Sequence, residues 1–360
     1  MTRNTPLVLA KVGYALPAAA ALALLLGTTA PAEARRVCAG DCSGDGTVTV
    51  DEVLRGINVA LGVVDPADCH AFDADGSADV DVAEIVTGID HALGGCPLVT
   101  VADAAFWQTL WADADRAEES LALHTQAIAD DPADSRSYFL RGMMHLFRYG
   151  QSIANFTDFD DFARSEIVRA NDDLDRAVEL APANRSYPGF RGAATYQNGV
   201  THGDAELEQL GIDQLRASME LWPIFNRFSF LGTVAAVVEP DDPLFDEAMA
   251  HFLDLLSPAG LAMCTGEICG NAGRAPRNLE GSGILFGDIF AKAGNLPQAC
   301  NCSQLAVGSG RSSSWRSTPL AEARLASVAE RVAAYADDDP GNDPPLVGLA
   351  NESCLICHAR

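Results

Sequence analysis

Apolar residues return every three or four positions along most of this chain, and that period predicts helices rather than strands. From about Val101 to Ala336 the pattern reads as one helix after another. Two shorter periodic segments precede it. Val53, Leu54, Ile57, Ala60 and Leu61 keep helical spacing, and Ile85, Ile89, Ala92 and Leu93 echo them. The remaining apolar stretch is a block, Ala18 to Leu25, with Arg3 and Lys11 close by and Ala32-Glu33-Ala34 after it. That arrangement predicts an export signal over residues 1–34, cleaved to leave a chain without a membrane span. The fold class expected is mainly α.

The two short helices follow polar loops of matching design. Asp41 to Glu52 reads DCSGDGTVTVDE, with oxygen donors at its first, third, fifth, seventh, ninth and twelfth places: Asp41, Ser43, Asp45, Thr47 (by its carbonyl), Thr49 and Glu52. Gly46 stands at the sixth place, where such a loop turns sharply. A hard cation such as Ca²⁺ needs six to eight oxygens, and this spacing supplies them from one short segment. Thirty-two residues on, Asp73, Asp75, Ser77, Asp79, Asp81 and Glu84 take the corresponding places in DADGSADVDVAE. The repeat continues into the helices, where Gly56-Ile57 becomes Gly88-Ile89. Ala78 replaces the sixth-place glycine, so two calcium sites are expected, the second weaker.

A loop leading into a single helix, twice over, resembles the type I dockerin module across about residues 37–97. The resemblance implies a paired loop-helix calcium module, taken here as residues 35–97, and a cohesin-like domain as its partner. Glu52 and Glu84, the general EF-hand choice, close the loops where dockerins usually carry Asp.

A second repeat lies in the helical region, residues 101–336. Ala127-Ile128, Pro132, Arg141-Gly142 and Gly150 answer to Ala177-Val178, Pro182, Arg191-Gly192 and Gly199, with Gln151 to Glu166 as an insertion. A looser copy includes Met219-Glu220-Leu221, Pro223 and Gly232, and Gly287 to Gly294 ends another first helix. Units of this kind bury their apolar faces only by stacking. The pattern resembles tetratricopeptide repeats, which implies an α-solenoid with a surface for a protein or peptide partner. The aromatics Phe106, Trp107, Trp111, Tyr138, Phe139, Phe225, Phe228 and Phe230 are read as core.

Residues 337–360 form an acidic, turn-rich linker and a tail, Cys354-Leu355-Ile356-Cys357-His358. Cys-x-x-Cys-His is the attachment sequence of a c-type haem: two thiols join the porphyrin and the histidine reaches iron. Cys354, Cys357 and His358 are thus expected to hold one haem c for electron transfer. A Cys354–Cys357 disulfide or redox dithiol is the alternative. Met263, His251 and His145 are candidates for a second axial ligand, a five-coordinate iron being the alternative.

Composition narrows the function. The 360 residues carry a formal charge of −26, which argues against nucleic acid as partner. Ten cysteines in an exported chain are expected to be oxidised or ligated. Cys38, Cys42, Cys69 and Cys96 bracket the calcium loops in one of three pairings, and Cys264, Cys269, Cys300 and Cys302 are expected to pair among themselves, a zinc site being the alternative. No serine triad, phosphate loop or metalloprotease motif points to an enzyme. The expected function is an exported, periplasmic or extracellular calcium-binding interaction scaffold with one haem. Its alternatives are a haem-free adaptor docked to a cohesin and, more distantly, a hydrolase acting on polysaccharides.

Overall fold

A computed structural model describes residues 38–65, 68–73, 79–112, 115–153, 156, 158–256, 274–308, 314–337, 342–346 and 354–359. The signal segment, Asp75, Ser77, Ala78, Met263, Cys264 and Cys269 lie outside the described residues. Among those described the regular structure is helical.

The first two helices, α1 (Val50–Ala60) and α2 (Val82–Gly94), start the same way. Thr49 caps α1 by accepting the Glu52 amide, and Glu52 reaches back to the Thr49 amide; Asp81 and Glu84 do this for α2. Each reciprocal cap satisfies amides that an isolated helix start leaves without partners. The helices meet around Phe72, which is fully buried between Gly56 and Gly88. Two nested disulfides, Cys42–Cys69 and Cys38–Cys96, close the unit. Of the three pairings open to those cysteines, this one ties both ends of the module together.

After Pro97 come α3 (Leu98–Leu110), α4 (Ala117–Asp130), α5 (Ser135–Ser152), α6 (Asp161–Leu180), α7 (Tyr187–His202), α8 (Ala205–Leu221), α9 (Pro223–Val237) and α10 (Pro243–Leu256). Each packs chiefly on its neighbours in sequence. Helix α6 begins within the stretch read as an insertion, because Asp160 caps it by accepting the Ala163 amide. Two glycines sit where helices cross. A side chain on Gly142 would press on Leu174 of α6, and one on Gly192 would strike the α8 backbone at Leu215. Arg141 makes a two-pronged ion pair with Asp173 at 2.6 and 2.8 Å, and Arg216 does so with Glu247 at 2.7 and 2.8 Å. Such pairs fix register between helices more than they add stability.

The later helices are α11 (Asn278–Lys292), α12 (Leu296–Gly308), α13 (Thr318–Ala326) and α14 (Val328–Tyr335). The largest core joins Phe230, Leu231, Phe252, Ile289 and Phe290 from α9, α10 and α11. Cys300 and Cys302, expected to be oxidised, carry free thiols on α12. Residues two apart on a helix point in nearly opposite directions, which prevents a bond between them. Burial pushes the Cys302 thiol up to about 11.

The described linker residues 342–346 lie against α13 and α14. Arg324 and Arg331 donate to the Pro345 carbonyl, and Tyr335 donates to that of Pro344. The linker leads to a single closing turn, α15 (Leu355–His358). Leu355 enters a cluster with Phe106, Leu110, Leu140 and Met144. Ile356 enters another with Ile284, Ala306 and Trp315. The tail therefore wedges between the first and last helices of the body.

Candidate functional sites

The first loop has its oxygens arranged around its own backbone. Asp41 Oδ1 accepts the amides of Gly44 and Asp45 at 2.7 and 3.1 Å and the Ser43 hydroxyl at 3.2 Å; Oδ2 accepts the Gly46 amide at 2.8 Å. Glu52 accepts the Ser43 and Thr49 amides, each at 2.8 Å. Asp45 takes the Thr47 amide and hydroxyl. Gly44 and Gly46 adopt φ of +73° and +87°, the left-handed region that glycine enters without strain. Asp41 and Glu52 are buried. Among the described residues no cationic side chain pairs with either. Burial holds the Asp41 carboxyl above its ordinary range, against the pull of three amide hydrogen bonds. No three His, Cys, Asp or Glu side chains among the described residues already converge as a cage. Only three of the first loop's ligand places hold acids, Asp41, Asp45 and Glu52, so hydroxyl and carbonyl oxygens would complete its donor set.

In the second loop Asp81 and Glu84 cap α2, while Asp73 is half-buried and Asp79 exposed. Asp75 and Ser77 lie outside the described residues, so the ligand places there are described only in part.

The module's outward face is apolar. On α1, Val50, Leu54, half-buried Ile57 and Leu61 form a stripe; Val82, Val86, Ile89 and Leu93 repeat it on α2, each thirty-two residues on. The ends stand far into solvent: Val50 is 73 % exposed, Leu61 71 %, Val82 79 % and Leu93 84 %. Scattered apolar side chains on a surface are ordinary, but a contiguous stripe marks a contact face. Charged side chains of both signs border it, the exposed Asp51 and Asp90 and the exposed Arg55 beside Leu54.

The tail forms the other candidate site. One helical turn carries Cys354, Cys357 and His358. His358 Nδ1 lies 2.6 Å from the Arg274 carbonyl, which fixes that nitrogen as the N–H donor and leaves Nε2 with its lone pair. Burial pushes the imidazole below its usual range, and the carbonyl works in the opposite direction. Cys357 packs against Gly281 of α11; burial, with Cys354 and Glu280 close by, raises its thiol to about 12. The ring beside His358 is Trp107, 5.9 Å between centroids, with the Arg274 guanidinium over the same indole at 4.9 Å. Sequence spacing gave no hint of Trp107 or Arg274, which lie far from the motif along the chain. Nor did it single out Met143 and Met144, which share the hydrophobic cluster of Leu355. His145 instead bonds Glu166 at 2.9 Å, and His251 lies against Phe230 and Glu247.

No protein-family model, no curated protein and no solved structure matches this chain.

Proposed function

We propose that the chain is an exported, calcium-stabilised docking protein whose two-helix module presents a duplicated apolar stripe to a second protein. The single observation that carries this reading is the repetition of Val50, Leu54, Ile57 and Leu61 as Val82, Val86, Ile89 and Leu93, left outward on a disulfide-tied unit. The partner on this reading presents an apolar face to the stripe, and a cohesin-like domain is the dockerin-like expectation. Calcium, bound by Asp41, Ser43, Asp45, Thr47, Thr49 and Glu52 and more weakly by the Asp73–Glu84 loop, would replace the loop amides as the carboxylates' partner. Disulfides and free calcium together favour a periplasmic or extracellular setting. The stacked helices behind the module read as a tetratricopeptide-like solenoid, offering further surface for a protein or peptide.

The test places a photo-crosslinking residue at Leu54 and at Val86 in the exporting cell, with Asp130 on α4 as control. A cross-link to one protein from both stripe positions, lost on calcium chelation and missing at Asp130, supports the reading. Cross-links that ignore calcium, or none from the stripe, overturn it.

A second reading stands beside it, that Cys354, Cys357 and His358 hold one covalent haem. What favours it is the Arg274 carbonyl on His358 Nδ1, because an oriented imidazole with a bare Nε2 is what an iron ligand requires. Bound there, haem would supply reversible one-electron transfer. The chain's own residues would hold its thioether carbons, orient the imidazole, and cover it with Trp107 and the Leu355 cluster.

A further inference from the structure

The first loop is seated on the helical body rather than standing clear of it. Gln108 Nε2 donates to the Gly44 carbonyl at 2.8 Å. The Arg116 guanidinium donates to the Asp45 carbonyl at 3.1 Å and to Gln108 Oε1 at 2.7 Å. Gly46 lies against Val101 and Ala104 of α3. The indole of Trp111, which follows the last residue of α3, stands 3.8 Å from where a side chain on Gly44 would begin. The same indole points its N–H the other way, to the Arg274 carbonyl at 3.3 Å. That oxygen is also the acceptor for His358 Nδ1. One carbonyl therefore has two donors, one from beside the calcium loop and one from the tail.

We infer that Trp111 is a positioning residue for His358, and that through it the filling of the first loop sets the hydrogen bond orienting the tail histidine. The inference rests on the calcium reading of that loop. Its physical basis is a difference in contacts between two states. Without the ion, Asp45 satisfies Thr47 and Asp41 satisfies the amides of Gly44, Asp45 and Gly46. An ion drawing those carboxylates inward releases these bonds and moves the Gly44–Gly46 backbone against Trp111. A ligand shifts a distant group only through such a differential interaction, and the linkage is then reciprocal. Gln108 on α3 and Arg116 at the start of α4 hold the loop carbonyls, so that movement reaches the helices instead of dissipating in a free loop.

The experiment uses the exported full chain, free of haem, with ¹⁵N-labelled histidine, and calcium alone as the probe. The Nδ1–H resonance of His358 is assigned by its loss in His358→Asn, and uptake is followed by calorimetry in parallel. Calcium is expected to move this resonance with the midpoint of the tighter calorimetric event. In Trp111→Phe, which keeps a ring but loses the N–H, uptake should persist while the resonance stays put. If that variant loses its helical circular dichroism, Gln108→Ala decides, and the shift should be lost there too. Calcium uptake with a stationary His358 resonance in the unaltered chain overturns the inference and leaves the calcium reading standing. A shift that survives both substitutions overturns the role of Trp111. No uptake at all overturns the calcium reading and the inference with it.

Discussion

The ring of Phe72 lies so close over Gly56 that a methyl group on that glycine would collide with it, and the matching Gly88 meets the ring from the second helix. One aromatic side chain thus serves both copies of the repeat. Its own counterpart, thirty-two residues earlier, is Gly40, held at φ +98° beside the same ring. Two aromatics could not fit at the pseudo-symmetric centre, so the repeat is broken where it must be. Phe72→Ala should cost the module about 3–5 kcal/mol by opening a cavity. Gly56→Ala should cost about 1–3 kcal/mol by overpacking. Hydrogen exchange of the α1 and α2 amides measures both; protection equal to that of the unaltered chain would contradict the central role of the ring.

The first loop has its glycine at the sixth place and a closing carboxylate already in position, whereas the second has Ala78 there. Glu52→Gln should therefore weaken calcium uptake far more than Glu84→Gln, by removing a two-oxygen ligand from the better-formed loop. Glu52 also accepts two loop amides, so its loss should loosen the ion-free loop as well. Calorimetry on the two variants checks the ranking, and equal losses would refute it.

What the sequence revealed was local. The spacing of the oxygen-bearing side chains, the thirty-two-residue offset and the repeated Arg141-Gly142 and Arg191-Gly192 pairs all depend on neighbours within a turn or a repeat. What stayed hidden depends on distant partners. Four cysteines permit three pairings, and only the closeness of Cys38 to Cys96 selects one. Gln108 reaching Gly44, and Trp111 and His358 meeting at Arg274, join residues that no period connects. Of the pairings expected among Cys264, Cys269, Cys300 and Cys302, a bond from Cys300 to Cys302 is excluded for a local reason, since an α-helix turns them apart; Cys264 and Cys269 lie outside the described residues. The apolar stripe was visible as helical period, but periodicity alone reads as core; burial was needed to see that it faces outward.

The tail makes a prediction of mass and colour. Exported from a host able to attach haem, the mature chain should gain the mass of one haem and absorb in the Soret region. Cys357→Ser should lose the covalent bond on that side, and with Gly281 behind it the smaller hydroxyl should leave the packing of α11 nearly unchanged. Leu355→Ala tests a separate point, because Leu355 ties the turn to Phe106 and Met144. It should cost about 2–5 kcal/mol at the tail without touching a thiol. A colourless protein of unmodified mass would remove haem from the account while leaving the wedge in place.

Glu166 offers the cleanest dependence on pH. Its side chain is only 1 % exposed and faces His145 at 2.9 Å, Arg169 at 3.1 Å and Arg148 at 3.3 Å. Burial pushes its carboxyl up, but the His145 hydrogen bond and the charges of His145, Arg148 and Arg169 outweigh it and leave it below the ordinary value of 4.5. The folded chain therefore binds this proton less readily than the unfolded one. The resulting stability is complete above the unfolded value and disappears as pH falls through the lower folded one. Glu166→Gln keeps the shape and removes the charge, so at neutral pH it should cost about 1–3 kcal/mol, the range for a hydrogen bond to a charged group. Urea unfolding of both proteins from about pH 7 to about pH 3.5 should show the gap narrowing over the acidic end of that range. A gap that stays constant would mean that Glu166 contributes by shape alone and that the cationic cluster joining α5 to α6 adds nothing through its charge.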